Sequence, residues 1–235
     1  MSLPRNITEL RELRDRVAVF ADRAEAGDRL AVMLESYRGT EAVVLAIPAG
    51  GVPVGLRVAE GLGLAFDVAV VSKITLPWNT EVGYGAVAFD GSVRMNEALL
   101  RDAGLTDEQV RRGIDATRRK VERRVKRLRG GRPFPELAKR AVILVDDGLA
   151  SGFTMRLAVE VVRKAGVGKA IVAVPTASLR TAGDLAAEAD ALYCANLRGG
   201  WSFAVADAYK EWRDLKEDEV EGLLTSFFSA RRRGA

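Results

Sequence analysis

The chain has 235 residues, 48% of them hydrophobic and 29% charged, with no histidine and one cysteine, Cys194. This composition fits a packed α/β domain; it excludes an intramolecular disulfide and makes a histidine triad or a structural zinc site poor expectations. The formal net charge is +4, yet residues 111–132 alone hold eleven Lys/Arg against two acids, so the remainder is net acidic.

No apolar run is long and unbroken enough to cross a membrane, and the opening MSLPRNITELRELRDR has no signal-peptide core. A cytoplasmic protein without a membrane partner is therefore expected. Residues 1–39 read as an N-terminal helical extension, with a short helix within 8–19 and an amphipathic helix over 22–37. In the latter, Ala26, Leu30, Met33, Leu34 and Tyr37 recur at helical spacing. Ala42 to Ile47 predicts a strand leading into 48-PAGGVPVG-55, and Val52 to Gly61 a helix with Val54, Val58 and Ala59 inward. Strand, Gly-Gly turn and helix start together can aim backbone amides at an anion. The pattern is neither GxGxxG nor a Walker loop.

Phe66 to Val71 predicts the next strand, followed by the polar passage 72-SKITLPWNTEVGYGAVA-88. Here Lys73 at a strand end could meet a diphosphate and Pro77 to Asn79 could form part of a mobile cover, or the passage is a surface connection with one snorkelling lysine; a strand is expected over Tyr84 to Phe89. A brief strand at Val93 to Met95 and helical residues 96–103 precede a long helix from Thr106 to Arg129. Thr106 is its N-cap, and Asp107 and Glu108 complement its dipole. Its apolar stripe of Ile114, Val121, Val125 and Leu128 is narrow, so the helix should lie over the body or against a partner with most arginines exposed. Residues 40–95 and 136–195 would then be two parts of one core around a basic helical insertion, 96–135. Residues 196–235 would form a C-terminal cap and tail.

The most informative stretch is 142-VILVDDGLASGFTMRLAVEVVRKAG-166. Val142 to Val145 fit a buried strand, and Asp146 and Asp147 stand at its end. Gly148, Ser151 and Gly152 permit a tight turn before a helix from Thr154, with Leu157, Ala158, Val161 and Val162 on one face. Two carboxylates above a helix N-terminus suit a ligand that combines a phosphate with hydroxyls or a magnesium ion. Lys169 to Val174 predicts another strand ending at 175-PTAS-178, then a helix over 181–189 and a strand at Ala191 to Cys194. The segment 201-WSFAVADAYKEWRDLKEDEV-220 supplies aromatic residues and acids, Phe227 and Phe228 a last apolar contact, and Arg231 to Arg233 a solvated tail. The alternation implies an α/β fold with a mostly parallel central sheet flanked by helices, a helical insertion and a C-terminal aromatic-acidic cap. The segments beginning near Pro48, Lys73, Asp146 and Pro175 all follow predicted strands, so they can share one crevice.

At 142-VILVDDGLASGFT-154 the sequence resembles the type I phosphoribosyltransferase family. The resemblance extends to a subgroup of predicted phosphoribosyltransferases through 47-IPAGGVPVG-55, 72-SKITLPWNTEVGYGAVA-88, 129-RGGRP-133 and 203-FAVADAYKEW-212. It implies transfer of ribose 5-phosphate from phosphoribosyl pyrophosphate to a nitrogenous acceptor, with magnesium as cofactor and release of pyrophosphate. Under it Asp146 and Asp147 would hold the ribose hydroxyls, directly or through magnesium and water. Ala150, Ser151, Gly152, Phe153 and Thr154 would cradle the 5-phosphate, while Ala49, Gly50, Gly51 and Lys73 would approach the pyrophosphate. Pro175, Thr176, Ala177, Trp201 and Phe203 would line the acceptor. Two positions depart from the pattern: Ala150 stands where purine-salvage members carry an acid, and Ala49 where the subgroup commonly carries a basic residue. The residues also leave room for a non-catalytic phosphoribosyl-ligand sensor and for an RNA-binding regulator using the basic segment. A cover over the crevice or a homodimer contact is the preferred use of that helix.

Overall fold

The computed structural model describes residues 3–200 and 202–233, with all their side chains except that of Glu81. At its centre β2 (Val43–Ala46), β7 (Ala141–Val145), β8 (Lys169–Ser178) and β9 (Ala191–Arg198) lie side by side. β1 (Ile7–Glu9) and β3 (Ala65–Val68) form the edges, giving the order β1-β9-β8-β7-β2-β3 with every pairing parallel. The inner strands are nearly continuous apolar runs because helices cover both faces. Successive side chains alternate between two cores. Val44, Ala46, Ile143 and Val145 face α1 (Arg23–Met33), α2 (Gly51–Leu62) and α7 (Glu217–Arg233). Val43, Leu45, Val142 and Leu144 face α5 (Phe153–Lys164) and α6 (Leu179–Ala186).

A second, antiparallel sheet of β4 (Val71–Leu76), β5 (Asn79–Ala88) and β6 (Val93–Met95) stands beside the first. After the short α3 (Glu97–Ala103), the long α4 (Asp107–Arg129) packs on it. Thr106 caps α4 as expected, in a full capping box with Gln109, and Gly130 at φ +54° ends it. Gly113 is the point of closest approach: a Cβ there would lie 2.0 Å from the Tyr84 hydroxyl oxygen. Val121 and Leu128 anchor the helix further along. Its last turns meet the start of α7, where Arg124 pairs with Glu217 and Arg127 with Asp218 and Glu221.

Several sequence expectations change. The helix placed within 8–19 is strand β1 followed by a single 3-10 turn at Arg11–Leu13, because this segment bonds to β9: Leu10 donates to the Ala195 carbonyl and Asp15 to that of Leu197. The run Phe66 to Val71, apolar but for Asp67, is two strands in two sheets. Asp67 is buried against Arg129 at 3.2 Å, and Ala69 makes the last bond to β2, through the Ala46 carbonyl, before the chain crosses over through buried Val70. The passage around Pro77 to Asn79 belongs to the β4–β5 hairpin. β8 and β9 continue to Ser178 and Arg198, four residues past their expected ends, because polar Thr176 and Asn196 satisfy one another across the pair at 2.8 Å. Arg231 to Arg233 complete α7, with Arg231 over the Phe227 ring at 4.7 Å. The expected contact of Phe227 and Phe228 is present and closes on Phe66. No described helix is long and apolar enough to cross a membrane.

Candidate active site

The carboxyl ends of β2 and β7 are hydrogen-bonded neighbours, so the loops leaving them must meet. The loop after β2 contains a cis peptide between Pro48 and Ala49. It then passes so close to β7 that a Cβ on Gly50 would sit 1.8 Å from an Asp147 carboxylate oxygen, and one on Gly51 2.6 Å from the Val145 carbonyl. Only residues without a side chain fit there. The Gly-Gly turn is therefore pressed against the acid pair, with α2 beginning immediately behind it.

Asp146 and Asp147 are half-buried at the tip of β7. Asp146 accepts the backbone N–H of Asp147 at 2.9 Å. Burial pushes the Asp146 carboxyl well above the usual range and the neighbouring Asp147 charge adds to it. Burial raises Asp147 as well, opposed by the guanidinium of Arg23. That arginine comes from the first turn of α1. It donates through Nε to Asp147 at 2.8 Å and through Nη1 to the Arg213 carbonyl at 2.9 Å, and its guanidinium lies over the Trp212 ring at 3.9 Å. Tyr209 donates its hydroxyl to the Asp147 carbonyl oxygen at 2.6 Å. Arg23, Tyr209 and Trp212 thus fix Asp147 from the far side of the site, a brace that sequence reading missed. No spacing signal joins an arginine at position 23 to a tryptophan at 212.

Beyond the acids the chain turns through Gly152 at φ +67° into α5, where the Ser151 hydroxyl accepts the Phe153 N–H. Thr181 of α6 holds the turn by donating to the Ala150 carbonyl at 2.7 Å. The first amides of α5 have no intrahelical acceptor, which leaves this end suited to an anion. α5 begins at Phe153, one residue before the expected Thr154.

Two clefts adjoin the turn. One, of about 310 Å³, gathers Pro48, Lys73, Asp146 and Thr154 with Lys120 and Arg124 of α4. Lys73 lies within β4 and is exposed, its aliphatic stem against Gly83. The other cleft, of about 530 Å³, is lined by Ala150, Ser178, Arg180, Arg198 and Phe203 among others. Arg198 lies over the Phe203 ring at 5.4 Å and pairs with Asp207. Of the expected site residues, Lys73, Asp146 and Thr154 line the first cleft, and Ala150 and Phe203 the second. Pro175, Thr176 and Ala177 are buried inside β8, with the Thr176 hydroxyl spent on Asn196, so their side chains do not project into either cleft. Trp201 lies outside the described residues.

Among the described residues no group of three or more His, Cys, Asp or Glu side chains is assembled to hold a metal. The adjacent carboxylates Asp146 and Asp147 are nonetheless compatible with magnesium, which commonly takes one or two protein carboxylates and completes its shell with water and substrate oxygens.

A parallel sheet whose strand ends bring together an acid pair, a glycine turn and a helix N-terminus places a candidate ligand crevice at the carboxyl edge of an α/β protein. Over residues 22–210 the chain matches the phosphoribosyl transferase domain, and it belongs to that family of glycosyl-transferring enzymes. It is 35% identical over 210 residues to the "Putative phosphoribosyl transferase" of Mycobacterium tuberculosis, in strains CDC 1551 and H37Rv; the match takes in 88% of this chain and 46% of that protein. The chain thus spans about half the length of the curated relatives it matches. The crystal structure of the protein TT1426 from Thermus thermophilus superposes with a TM-score of 0.70 at 34% identity, covering 88% of this chain and 98% of that one.

Proposed function

We propose that the protein transfers ribose 5-phosphate from phosphoribosyl pyrophosphate to a nitrogenous acceptor, in a magnesium-dependent reaction that releases pyrophosphate. The observation that carries this reading is the contact of Gly50 with Asp147. It makes the diphosphate loop and the ribose-binding acids one continuous surface, as a sugar diphosphate requires.

In this reading the amides of Ala150 to Thr154, with the Ser151 and Thr154 hydroxyls, hold the 5-phosphate. Asp146 and Asp147 orient the ribose. Ala49 to Gly51 and Lys73 flank the pyrophosphate. The bond from the anomeric carbon to the pyrophosphate oxygen breaks through an oxocarbenium-like transition state with both electrons leaving on the pyrophosphate, the acceptor nitrogen forms the new bond from the opposite face, and its proton passes to water or to the released pyrophosphate. Magnesium held by Asp146 and Asp147, directly or through water, would supply positive charge to the ribose hydroxyls and departing oxygens. The acids serve as positioning groups: the Arg23–Trp212–Tyr209 brace keeps Asp147 in one orientation, and each charge-assisted contact contributes about 1.5–3 kcal/mol. The second cleft, with Phe203 at its wall, receives the acceptor's planar ring. Pro175 to Ala177 act there only through backbone and shape. Ala150 gives no carboxylate to take the proton of a purine acceptor.

The test is incubation with phosphoribosyl pyrophosphate, magnesium and a panel of nucleobases. A product carrying ribose 5-phosphate, together with pyrophosphate, is the expected outcome. Saturable donor binding without turnover over a broad panel would favour a sensor instead, and absence of donor binding would end both readings.

A further inference from the structure

Ala49 leaves the loop after β2 without a cationic side chain, yet the donor's pyrophosphate carries the densest negative charge in the proposed reaction. The cleft that contains Asp146, Thr154 and Pro48 is also lined by Lys120 and Arg124, one helical turn apart on α4. Arg124 is already engaged: it donates to the Ser72 hydroxyl at 3.3 Å and pairs with Glu217. Lys120 is exposed and, among the described residues, has no ion-pair partner. It belongs to the same cleft as Lys73, which comes from β4. The position of α4 is set by packing, through the close contact of Gly113 with Tyr84 and through buried Val121, so Lys120 is carried on a fixed support.

We infer that Lys120, from the basic helical insertion, is a pyrophosphate-binding residue of the donor site and takes over the charge that Ala49 lacks. This inference rests on the proposed transferase reading. Lys120 and Lys73 approach the leaving group from two separate elements, while Arg124, bound to Ser72 and Glu217, positions the helix face that presents Lys120. A compact ammonium on a flexible stem can follow the pyrophosphate as it departs. The arginines facing α7 have no such role, since their charge is matched by acids of this chain.

The test measures calorimetric binding of magnesium pyrophosphate, magnesium phosphoribosyl pyrophosphate and ribose 5-phosphate to the intact chain and to Lys120→Ala, Lys120→Arg and Arg119→Ala. Arg119 is an exposed cation on the same helix outside this cleft, so its variant controls for net charge. The expected result for Lys120→Ala is weakening of pyrophosphate and donor binding by about tenfold, with ribose 5-phosphate binding within about twofold of the parent. Lys120→Arg should recover most of the loss, and Arg119→Ala should show none of it. Unchanged pyrophosphate affinity in Lys120→Ala, an equal fall for ribose 5-phosphate, or the same loss in Arg119→Ala would overturn the inference while leaving the transferase reading in place. A parent protein that binds neither pyrophosphate nor the donor would remove both.

Discussion

On the sheet side of the cleft, Asp146 and Asp147 stand at the tip of a strand buried on both faces, hemmed in by Gly50, Arg23 and Tyr209. On the other side, Lys73 and Lys120 extend from a hairpin and a helix into water. The acids are close, shielded and mutually repelling, and burial keeps their proton affinity high; the cations are separate and solvated. Geometry is therefore fixed where sugar hydroxyls would need orientation, and left adjustable where a leaving group would need charge that can travel with it. Damage to the fixed side should be severe and cooperative, and damage to the adjustable side graded.

The largest effect is expected for Asp146→Asn combined with Asp147→Asn. Magnesium-dependent donor binding should fall more than about a hundredfold, since two charge-assisted contacts and the cation site go together, while the far-UV circular dichroism stays near that of the parent. Donor affinity within a few-fold of the parent in the folded double variant would remove the acids from the site.

Gly50→Ala comes next. A methyl group 1.8 Å from the Asp147 oxygen must displace either the loop or the carboxylate, at a cost of about 1–3 kcal/mol of stability and most donor affinity. A melt and a titration indistinguishable from the parent would show that the two loops do not touch.

Arg23→Ala should remove about 3 kcal/mol of stability by leaving Asp147 without its partner, and should weaken donor binding less than the double acid variant does. Denaturant unfolding beside a donor titration separates the two effects; a substitution neutral in both would mean that Asp147 is positioned without the brace.

The pH dependence sharpens the contrast. Because the folded-state pKa of Asp146 is raised, the ligand-free protein binds this proton more tightly than the unfolded chain does. Its contribution to stability is therefore greatest below the ordinary carboxylate value and diminishes as pH rises through the raised one. Donor and magnesium require the ionised form, so uptake should release protons and weaken as pH falls through the same window. Calorimetry in two buffers of different ionisation enthalpy would detect that release, and Asp146→Asn should reduce both trends, leaving the part that Asp147 contributes.

Lys73→Ala carries the smallest effect, a loss in donor affinity of about three- to tenfold with unchanged stability. Kinetics and melting equal to the parent would make Lys73 a surface residue.

The sheet side was the more legible in sequence. The β-branched run Val142 to Val145, bounded by turn signals, fitted a buried strand better than a helix, and the glycines at 50, 51 and 152 marked turns where backbone can come close. The ends of β8 and β9 were hidden because Thr176 and Asn196 look like loop residues until each supplies the other's partner. The break between β3 and β4 was hidden because apolar character does not reveal which sheet a residue joins. Position 120 was visible as one cation among eleven in 111–132, but its direction depends on how Gly113 seats the helix on Tyr84. The brace behind Asp147 could not be read at all, since it joins residues 23 and 212 through a stacking contact.

The ion pairs between the last turns of α4 and the start of α7 make dissolved salt a two-sided variable for this molecule. Added electrolyte would relax the seam where Arg124 and Arg127 meet Glu217, Asp218 and Glu221 and, independently, dim the attraction that draws a polyanion toward Lys120. A protein whose sequence looks strongly cationic in one stretch would thus behave in solution as one that has spent part of that charge on itself, with Lys120 among the cations left unpaired by the described residues.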